Sequence, residues 1–273
     1  GLTEQYVGNW LARRGGRERL VIASKVAGPG DWVDYLRMPG RRLDRSNIKA
    51  ALDASLKRLQ TDYIDLYQVH WPDPLVPVEE TAVAMKELFD QGVIKAIGVS
   101  NFTPEQMDEF SDHAPLHSSQ PPYNIFERGI EKDVLPYCKK NGIIVISYGA
   151  LCRGLLTGKM TLDTEFTGDD LRKSDPKFQQ PRYSQYLLAV EKLETIARKY
   201  DKPLVNFASR WLIERGVEIP IWGARRPDQV EDMDRNFDWN ISQADIEDVD
   251  RILDEYITDP AGPNFGPPDR DQI

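Results

Sequence analysis

The sequence has little cysteine and lacks a long apolar run. Its two cysteines, Cys138 and Cys152, do not stand at a spacing typical of a disulfide framework or a zinc site, so no metal site is expected. It contains no apolar stretch of about 18 residues, and its first residues lack the charged-then-apolar layout of a signal peptide. We therefore expect no membrane span, and a reducing compartment such as the cytoplasm.

Basic residues are outnumbered and scattered along the chain. There are 35 lysines and arginines against 44 aspartates and glutamates, which gives a formal net charge of −9. Nucleic-acid-binding proteins concentrate basic residues in a stripe or patch, and this pattern is missing. We therefore expect no nucleic-acid partner. With 40% hydrophobic and 29% charged residues, the composition is typical of a globular protein.

Short β-branched apolar segments alternate with longer segments of helical periodicity. This alternation is typical of repeated βα units with a parallel sheet. The segments predicted as strands are 20–26, 65–71, 96–101, 116–120, 143–149 and 218–223. The length suits one (β/α)8 barrel, which needs eight strands. We therefore expect that the first strands and the N-terminal hairpin of such a barrel are absent from this sequence.

Capping residues mark where two helices begin. Asp44 is a suitable N-cap, because its carboxylate can accept hydrogen bonds from the first backbone amides of a helix. The helix that follows has one apolar face, formed by Ile48, Leu52, Leu56 and Leu59. After the third predicted strand, Thr103 and Gln106 form a capping box with Pro104 at the first helical position. A tight strand-to-helix turn is expected there.

Two long segments have no clear periodicity. Residues 150–183 and 257–273 are irregular and contain glycine and proline. Long loops in α/β domains are commonly lids or binding loops. We predict a single domain over residues 1–273 that includes both segments.

Six separated motifs resemble those of the aldo-keto reductase superfamily and follow the same order. They are ASK at 23–25, DYIDLYQVHWPDP at 62–74, KAIGVSNFTPEQ at 95–106, QPPYNIFER at 120–128, VISYGALCRGLLTGK at 145–159 and IWGARRPDQ at 221–229. The likeness is strongest to bacterial general-stress aldo-keto reductases with a WGAR-type cofactor motif. The resemblance implies a (β/α)8 TIM barrel and an NADPH-dependent oxidoreductase that reduces an aldehyde or ketone to an alcohol.

The resemblance also implies a catalytic tetrad of Asp, Tyr, Lys and His. Lys25 matches the lysine and His70 the histidine, whereas the family's aspartate and tyrosine fall in a segment that precedes residue 1. In the family the tyrosine is the general acid, the lysine lowers its pKa, and the histidine orients the carbonyl. Position supports both matches, because each residue ends a predicted strand, where barrel enzymes place their chemistry. No role is assigned to His113 and His117.

The expected cofactor site differs from a Rossmann unit, whose GxGxxG pattern is absent. In the family that this chain resembles, Ser100, Asn101 and Gln120 match the residues that bind the nicotinamide carboxamide. Tyr148 matches the aromatic residue that stacks on the nicotinamide ring. Stacking fixes which face of the ring delivers hydride.

Two further segments match phosphate- and adenosine-binding regions. The predicted pyrophosphate contacts are Gly149, Leu151, Arg153, Gly154, Leu155 and Lys159. The predicted contacts to the adenosine end are Gly223, Arg225, Arg226, Gln229 and Asp232. Pro227 is expected to open a helix, so that phosphate meets guanidinium groups and a helix N-terminus.

Two other functions stay open alongside the carbonyl reductase. A strand-end lysine can form a Schiff base, so an aldolase that uses Lys25 is one alternative. A noncatalytic cofactor-binding or regulatory subunit is the other. For the carbonyl reductase the expected partner is a small-molecule carbonyl substrate, and the oligomeric state is left open.

Overall fold

The described residues form two compact units. The computed structural model describes residues 1–26, 42–224, 226–231 and 233–263. The first unit comprises Gly1–Gln120 and Tyr137–Ile144. Within the described residues, the second comprises Pro121–Pro136 and residues 145–263. This division does not test the prediction of one domain over residues 1–273, which stays a prediction.

Six strands lie within the described ranges, and all six overlap the predicted segments. They are β1 Ala23–Val26, β2 Ile64–Val69, β3 Ile94–Ser100, β4 Ser118–Gln120, β5 Ile144–Ser147 and β6 Ile219–Pro220. In the first unit β1 pairs with β2, β2 with β3, and β3 with β4, and in the second β5 pairs with β6. Every one of these pairs is parallel, which confirms the prediction of repeated βα units.

The α-helices of the described residues lie mostly between the strands. They are α1 Leu2–Arg14, α2 Arg45–Leu59, α3 Val78–Asp90, α4 Pro104–Ser111, α5 Val134–Asn141, α6 Arg182–Lys199, α7 Leu204–Glu214 and α8 Gln243–Tyr256. None of them combines the length and the apolar character that crossing a bilayer requires. Between β5 and α6 the chain forms only short 3-10 turns, in agreement with the irregular segment predicted there.

The predicted caps hold α2 and α4 in place. The Asp44 carboxylate accepts hydrogen bonds from the backbone amides of Ser46, at 3.0 Å, and Asn47, at 3.1 Å. At α4, the Thr103 hydroxyl accepts from the Gln106 amide, and the Gln106 side chain accepts from the Thr103 amide. Both predicted helix starts are confirmed. Of the predicted apolar face of α2, only Leu56 is not fully buried.

In the first unit, α1 packs closely on α2 and contacts β1. A Cβ atom at Gly8 would lie 2.1 Å from the Arg58 carbonyl oxygen, so a residue without a side chain is required at this crossing. The Glu4 carboxylate accepts hydrogen bonds from Arg58 Nε, at 2.6 Å, and from Ser24 Oγ, at 2.5 Å. These contacts fix β1 at the residue before Lys25.

The second unit is built around large buried side chains. Trp211 and Phe207 on α7 and Tyr186 on α6 are completely buried. Burying an aromatic side chain of this size stabilises a fold by roughly 1.5–3 kcal/mol. The parallel register of β5 and β6 pairs Ile146 with Ile219, which places the residues after Ser147 at the carboxyl end of β5.

Candidate active site

Five predicted site residues lie at the carboxyl ends of the four strands of the first unit. Lys25 is the second-last residue of β1, and His70 follows β2 directly. Ser100 ends β3, Asn101 comes next, and Gln120 ends β4. The strands are parallel and in register, so these ends lie at one edge of the sheet. The structure therefore brings the five residues together, as the sequence predicts.

Hydrogen bonds link four of these residues into one network. Asn101 Nδ2 donates to the His70 carbonyl oxygen and to Ser100 Oγ, both at 3.0 Å. Ser100 Oγ in turn donates to the Gln120 carbonyl oxygen at 2.7 Å. Asn101 has a φ of 62°, in the left-handed region that asparagine tolerates better than most residues. The strained backbone at Asn101 thus joins the ends of three strands.

Gln68 supports this hydrogen-bond network, and the sequence analysis did not predict a role for it. Its Oε1 accepts a hydrogen bond from Gln120 Nε2 at 3.2 Å, and its side chain is almost fully buried. A Cβ atom at Gly98 would lie 2.8 Å from Gln68 Cγ, so glycine leaves the space that this side chain fills. The available signal was a polar residue inside an apolar strand, two positions before His70 and hence on the same face.

Lys25 and His70 line the same cavity, which has a volume of about 630 Å³. Both side chains are half-buried. Burial, with the positive charge of Lys25 as a second cause, lowers the pKa of His70 from 6.5 to about 4. Burial also lowers the pKa of Lys25. At neutral pH, His70 is therefore an uncharged imidazole that can donate a hydrogen bond beside a lysine.

In the second unit, Tyr148 and Gly149 directly follow β5. The Tyr148 amide donates to the Pro121 carbonyl oxygen at 3.0 Å, and its own carbonyl oxygen accepts from the Tyr123 amide at 3.1 Å. Burial raises the pKa of the Tyr148 phenol, so its half-buried ring stays neutral. Gly149 has a φ of 73°, and its carbonyl oxygen accepts from Asn124 Nδ2 at 3.0 Å.

The segment after Gly149 contains the predicted pyrophosphate contacts. Arg153 and Gly154 both have left-handed backbone, with φ of 51° and 96°. Leu155 is completely buried, so only its backbone can face a ligand. Lys159 is exposed and Leu151 is half-buried. The segment therefore offers a sharply turned backbone with one cation, Arg153, within it and another, Lys159, at its end.

A buried charge cluster anchors this segment, and it too was missed in the sequence. The side chain of Lys177 is completely buried, and its Nζ donates to Glu127 Oε1 at 2.8 Å, to Asp175 Oδ1 at 3.0 Å and to the Gly262 carbonyl oxygen at 2.9 Å. Asp175 also pairs with Arg153 Nε, at 3.3 Å. Burial, the largest single cause, lowers the pKa of Lys177, but Glu127, Cys152 and Asp175 together raise it by more, so the net shift is upward. Lys177 therefore stays charged, with an acceptor for each of its three N–H groups.

The charge cluster is also connected to Gly149, at the start of the segment, through the side-chain amide of Asn124. Asn124 Nδ2 donates to Glu127 Oε2 at 2.6 Å and also to the Gly149 carbonyl oxygen. Gly149 and Arg153 are thus both tied to one set of buried charges. No signal in the sequence could identify Lys177 or Asp175, because charged residues in an irregular segment normally face solvent.

At the predicted adenosine end, Arg226 forms an ion pair within its own turn. Its Nε and one terminal nitrogen donate to the two carboxylate oxygens of Asp228, each at 3.0 Å. Both side chains are exposed, as is Gly223. Two other predicted contacts, Arg225 and Asp232, lie outside the described residues.

Pro227 opens a helical turn, as predicted, but this turn is a short 3-10 one and not an α-helix. The structure has a three-residue 3-10 turn, Pro227–Gln229, in which the Gln229 side chain accepts a hydrogen bond from the Arg226 amide at 3.1 Å. Val230, the apolar residue directly after this turn, is 40% exposed and so adds little packing that could hold a longer helix. Such a short turn offers little of the expected help from a helix N-terminus, and phosphate binding by Arg226 stays a prediction. Within the described ranges, no group of three acidic, histidine or cysteine side chains is placed to hold a metal ion.

Parallel strands that alternate with helices and carry polar groups at their carboxyl ends define an α/β enzyme fold. Residues 1–254 match the model of the Aldo/keto reductase family. The chain belongs to this family, and its fold class is that of the family's (β/α)8 proteins, as the sequence predicts.

Similar proteins include several oxidoreductases. Aldo-keto reductase YhdN of Bacillus subtilis (strain 168) is 51% identical over all of this chain and 82% of its own length. The NADH-specific methylglyoxal reductase of Escherichia coli (strain K12) is 32% identical, over 90% of this chain and 77% of that protein. The structure of glycerol dehydrogenase AKR11B4 from Gluconobacter oxydans matches with a TM-score of 0.86 and 42% identity, over 97% of this chain and 81% of that chain. The chain is therefore an aldo-keto reductase of the oxidoreductase class.

Proposed function

We propose that this protein reduces small aldehydes or ketones to alcohols with NADPH. The observation that carries the proposal is the placement of Lys25 and an uncharged His70 at adjacent strand ends, lining one cavity. A carbonyl oxygen gains negative charge during reduction, so fixed donors and a nearby cation lower the barrier. The pair provides both. We further propose a cytoplasmic location, because two cysteines at a spacing that is not typical of a disulfide framework suit a reducing compartment.

The side chains predicted to contact the nicotinamide have chemistry that suits this cofactor. The amides of Asn101 and Gln120 complement the carboxamide group, and the neutral ring of Tyr148 suits stacking on an aromatic ring. Lys159 and the turned backbone near Gly154 suit the pyrophosphate. When bound, the reduced nicotinamide supplies hydride to the carbonyl carbon.

In this proposal each half of the Lys25–His70 pair has its own role. The uncharged imidazole of His70 donates a hydrogen bond that orients the carbonyl oxygen and strengthens as that oxygen becomes negative. The phenol that protonates the oxygen is that of the family's catalytic tyrosine, which the resemblance places before residue 1. The ammonium of Lys25 lowers the pKa of this phenol, which is about 10 when unperturbed. The hydrogen bond from Asn101 to the His70 carbonyl oxygen holds the backbone that carries the imidazole.

The choice of NADPH over NADH rests on Arg226. A guanidinium group binds phosphate through parallel N–H donors, and NADPH differs from NADH by one phosphate on the adenosine ribose. One similar protein is named as NADH-specific, so membership of the family does not decide this point. The exposed guanidinium of Arg226 favours NADPH here.

Replacing Lys25 by methionine tests the proposal. In the full-length protein, Lys25→Met should lower kcat for aldehyde reduction by at least about a hundredfold, the usual scale of positioned acid–base catalysis. The dissociation constant of NADPH, measured by fluorescence titration, should change by less than about twofold, because Lys25 acts on the reacting oxygen. Methylglyoxal is a suitable first substrate, given the similar protein named for it.

Lys57→Met is the matched control, because Lys57 is an exposed lysine on α2. It should leave kcat unchanged. Undiminished turnover in Lys25→Met would show that Lys25 is an ordinary strand-end lysine and would contradict the proposed role of the Lys25–His70 pair.

A further inference from the structure

The ion pair between Arg226 and Asp228 has the geometry of a phosphate contact. Two nitrogens of the guanidinium donate to two oxygens of one carboxylate, each at 3.0 Å. This two-point arrangement is the one that guanidinium groups adopt with both carboxylate and phosphate. Asp228 therefore holds the same donors that the ribose phosphate of NADPH would use.

The conformation of the turn holds the Asp228 carboxylate beside the Arg226 guanidinium, where a phosphate would have to compete with it. Pro227 stands between the two residues and restricts the backbone, and the Gln229 side chain caps the Arg226 amide at 3.1 Å. Arg226, and to a smaller extent Lys159, lower the pKa of Asp228, so the carboxylate is ionised at neutral pH. With 63% and 57% of the two side chains exposed, a ligand can reach the pair from solvent.

We infer that Asp228 is a specificity-determining residue that reduces the preference for NADPH over NADH. The inference rests on the proposed function. A ribose phosphate must displace the Asp228 carboxylate from Arg226 and then remain near its negative charge. The ribose of NADH has hydroxyl groups instead, and a carboxylate accepts hydrogen bonds from ribose hydroxyls. The pair thus provides a cation for one cofactor and an acceptor for the other.

Binding measurements on the full-length protein test this role without catalysis. Dissociation constants for NADP⁺ and NAD⁺ are measured at low salt by quenching of tryptophan fluorescence. Asp228→Asn should tighten NADP⁺ binding by about two- to fivefold, the scale of an exposed ion pair. NAD⁺ binding should stay the same or weaken slightly. High salt should shrink the gain for NADP⁺, because exposed charges are screened.

Two further variants make the result specific. Glu231→Gln removes the same charge from an exposed position three residues away and should not reproduce the gain. Arg226→Ala should weaken NADP⁺ binding, and adding Asp228→Asn to it should give no further gain, because the competed donor is gone. An equal effect of Asp228→Asn on both nucleotides, or an equal gain from Glu231→Gln, would overturn the inference. Failure of the unaltered protein to bind either nucleotide would instead contradict the proposed function, and the inference with it.

Discussion

His70 links the candidate site to the stability of the fold. Its pKa is about 4 in the folded protein and 6.5 when unperturbed, so between these values the folded state binds fewer protons than the unfolded state. Stability should therefore rise with pH across this window, and the contribution of His70 is lost as pH falls from 6.5 towards 4. His70→Ala should show a smaller rise over the same range. Urea unfolding at a series of pH values measures both slopes.

His113→Ala is the control for this measurement, because His113 is not among the residues that line the cavity with Lys25 and His70. It should retain the pH dependence of the unaltered protein. Identical slopes for the unaltered protein and His70→Ala would show that burial does not hold the imidazole uncharged.

The sequence predicted the site residues that end strands and missed those that support them. Lys25 and His70 could be found because a motif coincides with the end of a β-branched segment. The signal for Gln68 was only a polar residue inside an apolar strand, and its role could be recognised only once the neighbouring strand was in place. Its importance depends on the space left by Gly98, and that space exists only in the folded sheet.

At the scale of elements, the segment between β5 and α6 is held by charge as well as by apolar packing. Lys177 joins the turn after β4, this segment and the residue Gly262 near the chain's end. Removing one partner of a buried ion pair leaves an uncompensated charge and typically costs about 3–5 kcal/mol. Lys177→Met should therefore lower the free energy of unfolding by about this amount, as measured by chemical denaturation.

Lys173→Met provides the comparison, because Lys173 is exposed in the same segment. It should change the free energy of unfolding by less than about 0.5 kcal/mol. Adding Glu127→Gln and Asp175→Asn to Lys177→Met should restore part of the loss, since the stranded carboxylates are then removed. A Lys177→Met protein as stable as the unaltered one would contradict the anchoring role of the cluster.

Helix starts could be predicted where a cap and an apolar face occur together. Asp44 and Thr103 each precede such a face, and both predictions hold. Pro227 supplied only the local signal for a helix start. Val230, directly after this turn, is largely exposed, and the chain forms a short 3-10 turn instead of a longer helix. Local chemistry therefore set these boundaries only where tertiary packing agreed with it.

For the whole molecule, the parallel pairing of the strands followed from the sequence pattern, because strands that alternate with helices are typical of parallel βα units. The single domain over residues 1–273 stays a prediction. The function of the molecule rests on a central claim, namely that the residues at the strand ends support hydride transfer to a carbonyl carbon.

Transfer of deuterium tests this claim most directly. The full-length protein is mixed with NADPH deuterated at the 4-pro-R position and with a panel of aldehydes and ketones, and the products are examined by mass spectrometry. The account predicts an alcohol with one deuterium on the former carbonyl carbon, and no adduct on Lys25 after borohydride treatment. Bound NADPH that transfers deuterium to none of the carbonyl compounds would contradict the account and favour a noncatalytic cofactor-binding protein. Covalent trapping of substrate on Lys25 would contradict it in favour of a Schiff-base aldolase.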